Sequence, residues 1–192
     1  EKQNLQFEVA PPSELPRFDR LYRSMTDRKR FPDFSAYDTT PYLMQWDNDL
    51  LRPQLFFVRN NSTDVAGASI FKAGRTAVYL YGATSDDALP LRAGYFMHAR
   101  IISWLRDNTR ADWYDLGGTD GFQGLHQFKK GMVGTAGRMV PVPPIANYAH
   151  SLRARLAGNA AYAARDGFQK LRKLRNRVIA QQLAQPDQDR HR

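Results

Sequence analysis

Two adjacent cations in the second half of the chain are the residues best placed to do chemistry. Lys129 and Lys130 close a predicted helix in the segment GLHQFKKGMVG, and Phe128 lies on the apolar face of that helix. A fixed ammonium stabilises negative charge that develops in the transition state of acyl transfer. Cations are also favoured at helix C-termini without any catalytic role. Position alone favours this second interpretation for both lysines.

A second charged group lies at the end of the first predicted helix, in the segment TDRKRF. Arg28 and Arg30 carry guanidinium groups, which suit the capture of a diphosphate through paired hydrogen bonds. The loop that follows is rich in aromatic residues, and Tyr37 and Tyr42 could stack on a sugar or a base. A solvated charge run is the alternative interpretation of the arginines.

Composition narrows the classes of protein to consider. The 192 residues suffice for one core with an appended helical tail, and the absence of cysteine excludes disulfides, thiolate zinc sites and cysteine nucleophiles. No run approaches the roughly 20 apolar residues that a membrane span needs. The net charge of +9 is concentrated after residue 150, where ten Arg or Lys face three Asp. This surplus favours polyanionic partners, although basic helices also occur simply as soluble elements.

Hydrophobic periodicity predicts the elements that must position these residues. Strands are predicted where apolar residues lie between turn signals, at 5–9, 54–59, 65–72, 76–81, 113–116 and 135–142. Helices are predicted where apolar residues recur at three or four positions, at 13–28, 42–46, 90–105, 120–128 and 145–185.

This order of elements predicts an α/β (α+β) fold of the kind found in GNAT-type acyltransferases. Its sheet is mixed but mainly antiparallel, helices flank both faces, and a long basic helix follows at the C-terminus. We expect an acyltransferase domain at 1–143, a basic amphipathic helical extension at 144–185 and a disordered tail at 186–192.

The segment from Tyr79 to Val133 carries a family signal. It reads YLYGATSDD, then a helix, then DWYDLGGTDGFQGLHQFKKGMVG. This resembles the FemABX family of aminoacyl-tRNA-dependent peptidyltransferases, whose typical pattern is Y-x-Y-G-A-S, a helix, Y-D-F-G-G and G-L-Y-x-F-K-x-G-F. Several separated elements agree in order and spacing, which is more specific than a single glycine motif. Family members have two GNAT-like domains, and the chain resembles the second, so an N-terminal GNAT-like partner domain is expected upstream.

The resemblance implies an aminoacyltransferase that needs neither a cofactor nor a metal. Its members transfer an amino acid from aminoacyl-tRNA to an amine of a UDP-linked or lipid-linked muropeptide precursor. Phe128 and Lys129 match the Phe-Lys pair at the acyl and acceptor site, so they are the predicted catalytic residues. The expected location is the cytoplasm, with peripheral contact to the anionic inner face of the membrane.

The same resemblance implies a set of residues that bind the precursor. Tyr81 matches a tyrosine that helps hold the sugar nucleotide, and Tyr79 is expected on the same face of its strand as a core residue. The segment TDRKRF around Arg28 and Arg30 resembles the family's T-x-x-R-x-x-F at the end of the first helix. The complete predicted set of substrate-binding residues is Arg28, Arg30, Tyr37, Tyr42, Tyr81 and His126.

Two histidines need separate interpretations. His126 replaces the tyrosine that is usual in the last family motif, and either donates to a phosphate or occupies a surface turn. His98 lies on the apolar face of its predicted helix, which favours a core histidine over a catalytic base.

Two other functions remain open. An acetyl-CoA-dependent N-acyltransferase needs a glycine-rich pyrophosphate loop, whereas the corresponding stretch here, ATSDDALPLRAGYF, has one glycine and two adjacent aspartates. A non-catalytic domain that binds a glycan precursor or tRNA would use the basic tail. Within the basic tail, Arg172, Lys173 and Arg175 are predicted to contact tRNA or the membrane.

Overall fold

A computed structural model of the protein describes residues 4–29, 37–118, 123–141 and 148–184, and in the last range the side chains of 148–168 and 171. The chain divides into two compact units, residues 1–140 and residues 141–192.

The first unit is built on a five-stranded sheet in which neighbouring strands follow the chain order. Its strands are β1 (Leu5–Ala10), β2 (Gln54–Asn60), β3 (Thr63–Ala73), β4 (Thr76–Thr84) and β5 (Trp113–Asp115). The first four pair antiparallel in chain order, and β5 pairs with β4 in parallel. The prediction of a mixed, mainly antiparallel sheet is therefore confirmed.

The described residues of this unit form four α-helices: α1 (Leu15–Lys29), α2 (Thr40–Met44), α3 (Ala93–Asn108) and α4 (Gln123–Val133). α3 begins three residues after the predicted start at Pro90. Arg92 has a left-handed backbone with φ of 51°, which an α-helix cannot include. A short 3-10 turn at Asp86–Ala88 precedes it instead.

The sheet carries a separate hydrophobic core on each face. Because side chains alternate along a strand, Phe56 and Val58 of β2 face α3, while Leu55 and Phe57 face α1. The α3 core also contains Val65, Ala66, Ala68, Ile70, Ala77, Ala88, Ala93, Met97, Ile101 and Leu105. The α1 core also contains Ala10, Phe18, Tyr22, Tyr37, Met44 and Ala83.

Arg17 fastens α1 to the sheet. Its guanidinium pairs with Glu8 of β1 at 2.8 Å and with Asp64 of β3 at 2.5 Å, and it lies 4.0 Å above the ring of Phe57. The hydrogen bonds that Arg17 donates to Asp64 and Glu8 raise the pKa of Arg17 further above its usual value. This anchor lies in the first turn of α1, and Arg28 lies in the last turn.

The predicted final strand at 135–142 is wrong over the part that the structure describes. Residues 135–141 have no strand conformation, and their side chains are exposed, including Met139 and Val140. A strand forms only where a neighbour takes up its hydrogen bonds. In the described chain the sheet ends with β5, which is only three residues long, and no strand pairs with residues 135–141.

The second unit contains one long helix, α5 (Leu152–Ala184), of 33 residues. Its first turn is capped by Ser151, whose Oγ accepts the N–H of Ala154 at 3.1 Å. Among the residues described, no helix combines the length and apolarity that crossing a bilayer requires.

Candidate active site

The central feature of the site is the stretch of β4 that continues beyond the end of β5. The last partners of β4 and β5 are Val78 and Asp115, yet β4 continues to Thr84. Within the described chain, Tyr79–Thr84 has β3 on one side and no strand on the other. We call Tyr79–Thr84 the open edge. Extended, amide-containing ligands bind proteins by adding a strand at sheet edges of this kind.

A β-bulge lies at the start of the open edge. Ser69 of β3 pairs with Tyr81 and the next residue, Ile70, pairs with Tyr79, so Leu80 is the extra residue. Tyr79 therefore packs in the α3 core and Tyr81 in the α1 core. The expectation that the two tyrosines share one face is wrong, because that expectation assumed unbroken alternation along the strand.

Lys129 lies at the base of the open edge. Its side chain is buried, with 9% exposure, and Nζ donates to the carbonyl oxygens of Leu116 and Gly118, each at 2.5 Å. Nζ is 5.9 Å from the centre of the Tyr79 ring. The adjacent Lys130 is exposed. The structure thus separates the two lysines that sequence position alone does not distinguish.

The loop after β5 is shaped to meet this ammonium. Asp115 Oδ1 accepts the N–H of Gly117 at 2.8 Å, and Gly117 has φ of +68°, which glycine adopts without strain. A Cβ at Gly117 would lie 3.8 Å from the Tyr79 carbonyl and 3.9 Å from Lys129 Nζ. The loop, the open edge and the lysine therefore meet at one point.

A partly polar cluster of aromatic rings, centred on His98, packs beside Lys129. His98 Nδ1 and the Tyr114 hydroxyl are 2.9 Å apart, and the His98 ring packs against Tyr79 and Phe128 at 4.9 Å and 5.5 Å between centroids. Phe128 also packs edge-on against Tyr95. Phe128 is thus a packing residue that fixes the turn of α4 from which Lys129 projects.

His98 is buried, as predicted for a core histidine. Burial and, to a smaller extent, the Lys129 ammonium lower the pKa of His98 from 6.5 to about 4. Burial likewise raises the pKa of Tyr79 and of Tyr114 above the ordinary value of a phenol. At neutral pH the cluster therefore holds Lys129 among uncharged rings.

The titration of His98 predicts a pH-dependent stability. Between pH 6.5 and 4 the unfolded chain binds a proton at this histidine and the folded chain does not, so stability is present above that window and lost as pH falls through it. Lowering the pH from 7 to 5 should cost about 2 kcal/mol of unfolding free energy from this group. Urea denaturation of wild type and His98→Gln at both pH values measures it, with His126→Gln as the matched control at an exposed position. Equal pH dependence in wild type and His98→Gln would contradict the assignment.

The α1 face brings several predicted residues together, although not as an exposed stacking platform. Tyr37 is buried, its ring lies 3.8 Å from that of Tyr22 in a stacked arrangement, and Tyr81 meets it edge-on at 5.1 Å. Burial and the nearby Asp19 raise the pKa of Tyr37. The Tyr37 ring thus packs within this core, stacked on Tyr22 and in contact with Phe18 and Tyr81.

The remaining predicted site residues are dispersed. Arg28 Nε pairs with Asp86 at 2.8 Å, and its Nη2 donates to the Thr84 carbonyl at 2.8 Å, so it reaches the end of the open edge. Tyr42 and His126 are exposed. Arg30 and the side chains of Arg172, Lys173 and Arg175 lie outside the described residues, as does the predicted tail at 186–192. No group of three or more metal-ligating side chains occurs among the residues described.

Comparison with known proteins decides the family. The sequence model of the acetyltransferase (GNAT) domain matches residues 1–130. The chain belongs to the GNAT acetyltransferase family. No curated protein sequence matches it.

Solved structures share the GNAT fold at low sequence identity. An aminoglycoside acetyltransferase from an uncultured soil metagenomic sample, in complex with sisomicin, is similar with a TM-score of 0.56 and 14% identity over 75% of this chain and 97% of that one. A ribosomal-protein-alanine N-acetyltransferase from Brucella melitensis biovar Abortus 2308 is similar with a TM-score of 0.53 and 9% identity over 74% of this chain and 99% of that one.

FemX is also similar, with a TM-score of 0.54 and 19% identity over 67% of this chain. The chain spans only 50% of FemX. At these identities the three structures show that the GNAT fold is shared, and they leave the substrate to be argued from the site.

Two residues of this GNAT site were not predicted from the sequence. Asp115 and Gly117 shape the loop that accepts Lys129, although neither is among the predicted site residues. The signal that could have found them is Asp-Leu-Gly-Gly directly after a short strand, since Asp followed two residues later by Gly is typical of a side-chain-capped turn.

Proposed function

We propose that this protein transfers an aminoacyl group from aminoacyl-tRNA to an amine of a UDP-linked or lipid-linked muropeptide precursor. The GNAT fold makes it an acyltransferase. The donor and the acceptor are proposed from the order of motifs between Tyr79 and Val133 and from the geometry around them.

The observation that carries the proposal is the buried Lys129 ammonium at the base of the open edge. In the proposed reaction the acceptor nitrogen bonds to the ester carbonyl carbon, and the carbonyl oxygen becomes an oxyanion. The carbon–oxygen bond to the ribose then breaks, and the ribose oxygen leaves with the proton lost by the amine. A charge fixed beside the oxyanion lowers this barrier because it needs no reorganisation during the step.

The connection between β4 and α3 supports a donor other than acetyl-CoA. Binding a pyrophosphate there requires backbone N–H groups that are available to the anion. Four N–H groups of the connection already donate within the chain, those of Ser85, Ala88, Leu91 and Arg92. At the same place Asp87 adds an exposed carboxylate, whereas the Asp86 carboxylate is paired with Arg28. Acetyl-CoA transfer remains the second candidate, since the family match and two of the similar structures are acetyltransferases.

On the acceptor side, Arg28 is the best placed of the proposed residues, because it lies at the end of the open edge. Arg30, Tyr42, Tyr81 and His126 complete the proposed set. Tyr37 belongs to it through the packing of Tyr81, since its own ring is buried in the α1 core.

Arg28→Ala tests the acceptor assignment. The Asp86 partner is 81% exposed, so we expect the unfolding free energy to fall by less than about 1 kcal/mol. Loss of a guanidinium that binds the precursor's diphosphate should raise KM for the acceptor about tenfold and leave kcat nearly unchanged. Steady-state kinetics measure KM and kcat. Arg23→Ala is the matched control, since Arg23 lies on α1 like Arg28 and is also paired with an aspartate, Asp19. An unchanged KM would remove Arg28 from the acceptor site.

The test of the whole proposal uses the full-length protein, including any N-terminal GNAT-like domain. It is incubated with a muropeptide precursor and with mixed aminoacyl-tRNAs or, in a parallel reaction, acetyl-CoA, and products are identified by mass spectrometry. A precursor with its amine acetylated is the control for the acceptor, and deacylated tRNA is the control for the donor. A mass increase equal to one amino acid residue supports the proposal. An acetylated product from acetyl-CoA, or binding of the precursor without any product, would overturn it.

A further inference from the structure

The second unit presents large apolar side chains to solvent. Leu152, Leu156, Phe168 and Leu171 of α5 are between 59% and 68% exposed. Single exposed apolar residues are ordinary, but several on one element mark a surface that binds something.

The three leucines follow the periodicity of a helix. Leu152, Leu156 and Leu171 belong to a series spaced by three or four positions, so they share one face. The positions between them on this face hold small residues, Ala160, Ala163 and Gly167, and the sequence continues the series through Leu174 and Val178. In sequence, the apolar series thus extends from residue 152 to residue 178, about 40 Å along the helix axis.

The same helix is strongly basic. It carries one aspartate and eight arginine or lysine residues, Arg153, Arg155, Arg165, Lys170, Arg172, Lys173, Arg175 and Arg177. Arg153, Arg155 and Arg165 are exposed, and the Arg165 guanidinium lies 4.9 Å above the ring of Tyr162. A surplus of this size is complementary to an extended anionic surface.

We propose that α5 lies in the surface of an anionic lipid bilayer, with its leucines among the acyl chains and its arginines and lysines on the lipid phosphates. An interfacial helix needs both an apolar face and a basic polar face. RNA would use the cations and leave the exposed leucines without a partner. A protein helix would use the leucines and leave most of the cations unmatched. The inference does not depend on the acyl donor proposed above.

Vesicle flotation tests the proposal with the full chain. The probes are vesicles of pure phosphatidylcholine and vesicles with about 30% phosphatidylglycerol. We expect binding to the anionic vesicles at least about tenfold tighter than to the neutral ones, and weaker as salt rises. Leu156→Gln/Leu171→Gln and Arg172→Gln/Lys173→Gln/Arg175→Gln should each weaken the binding about tenfold or more.

Ala161→Gln, which lies off the apolar face, is the matched control and should bind like wild type. Circular dichroism shows whether each variant keeps its helix. Equal binding by the leucine variant and wild type would overturn the proposal, as would equal binding to the two kinds of vesicle. Binding to tRNA that depends on the cations but not on Leu156 and Leu171, with no vesicle binding, would replace the lipid surface by RNA.

Discussion

Replacing Lys129 with methionine should lower the rate of aminoacyl transfer about 100-fold. Methionine keeps an unbranched side chain that fills the same buried space, whereas the ammonium beside the open edge is lost. The charge that stabilises the oxyanion in the transition state is then missing, so kcat should fall more than KM rises. Single-turnover transfer with a saturating acceptor measures the chemical step directly.

The same substitution also removes the two hydrogen bonds to Leu116 and Gly118, which should cost about 2 kcal/mol of unfolding free energy. Denaturation curves identify conditions in which every variant is folded, and rates are compared there. Lys130→Met is the matched control at an exposed neighbour and should keep the wild-type rate. Lys129→Arg should restore part of the rate, because it keeps the charge. If Lys129→Met transfers at the wild-type rate, the lysine only holds the loop.

Gly82→Ala should destabilise the protein by about 3 kcal/mol. A Cβ at Gly82 would overlap the hydroxyl of Tyr79. That ring cannot move aside easily, because it packs between His98 and the Lys129 ammonium. Urea denaturation measures the loss, and the displaced Tyr79 should also reduce transfer.

Gly124→Ala is the matched control for this substitution. Gly124 lies in α4 with no atom within 4 Å of the position of an added Cβ, so alanine there should be neutral or slightly stabilising. In a Tyr79→Leu background, Gly82→Ala should cost less than about 1 kcal/mol, since the clashing ring is gone. A cost of about 3 kcal/mol in both backgrounds would show that the strain lies in the backbone.

The sheet was predictable where two local signals coincide. Asn60-Asn61-Ser62 and Ala73-Gly74 mark turns, and alternating apolar residues lie on either side of them, which is why β2, β3 and β4 lie within three residues of their predicted bounds. The helical spacing of α1 and α3 was equally local. The core position of His98 followed from the apolar face of α3.

The features that were not predictable depend on contacts between distant segments. The family motif singles out Lys129 over Lys130, but the burial of its ammonium depends on the carbonyls of Leu116 and Gly118, 13 and 11 residues away. The predicted strand at 135–142 had the right composition and lacked a neighbour. Tyr37 follows a segment that resembles a loop, yet it stacks on Tyr22 because the chain returns to α1.

The bulge at Leu80 restricts the length of β4 as well as its direction. Before Leu80 the odd-numbered side chains, such as Tyr79, face the α3 core. After Leu80 the odd-numbered side chains, such as Tyr81, face the α1 core. Deleting or inserting one residue here would exchange the environments of Tyr81, Gly82 and Ala83, because the strand period is two. Among homologous chains, gaps should therefore be absent from this strand and collect in the turn at Asn61, where a longer connection costs little.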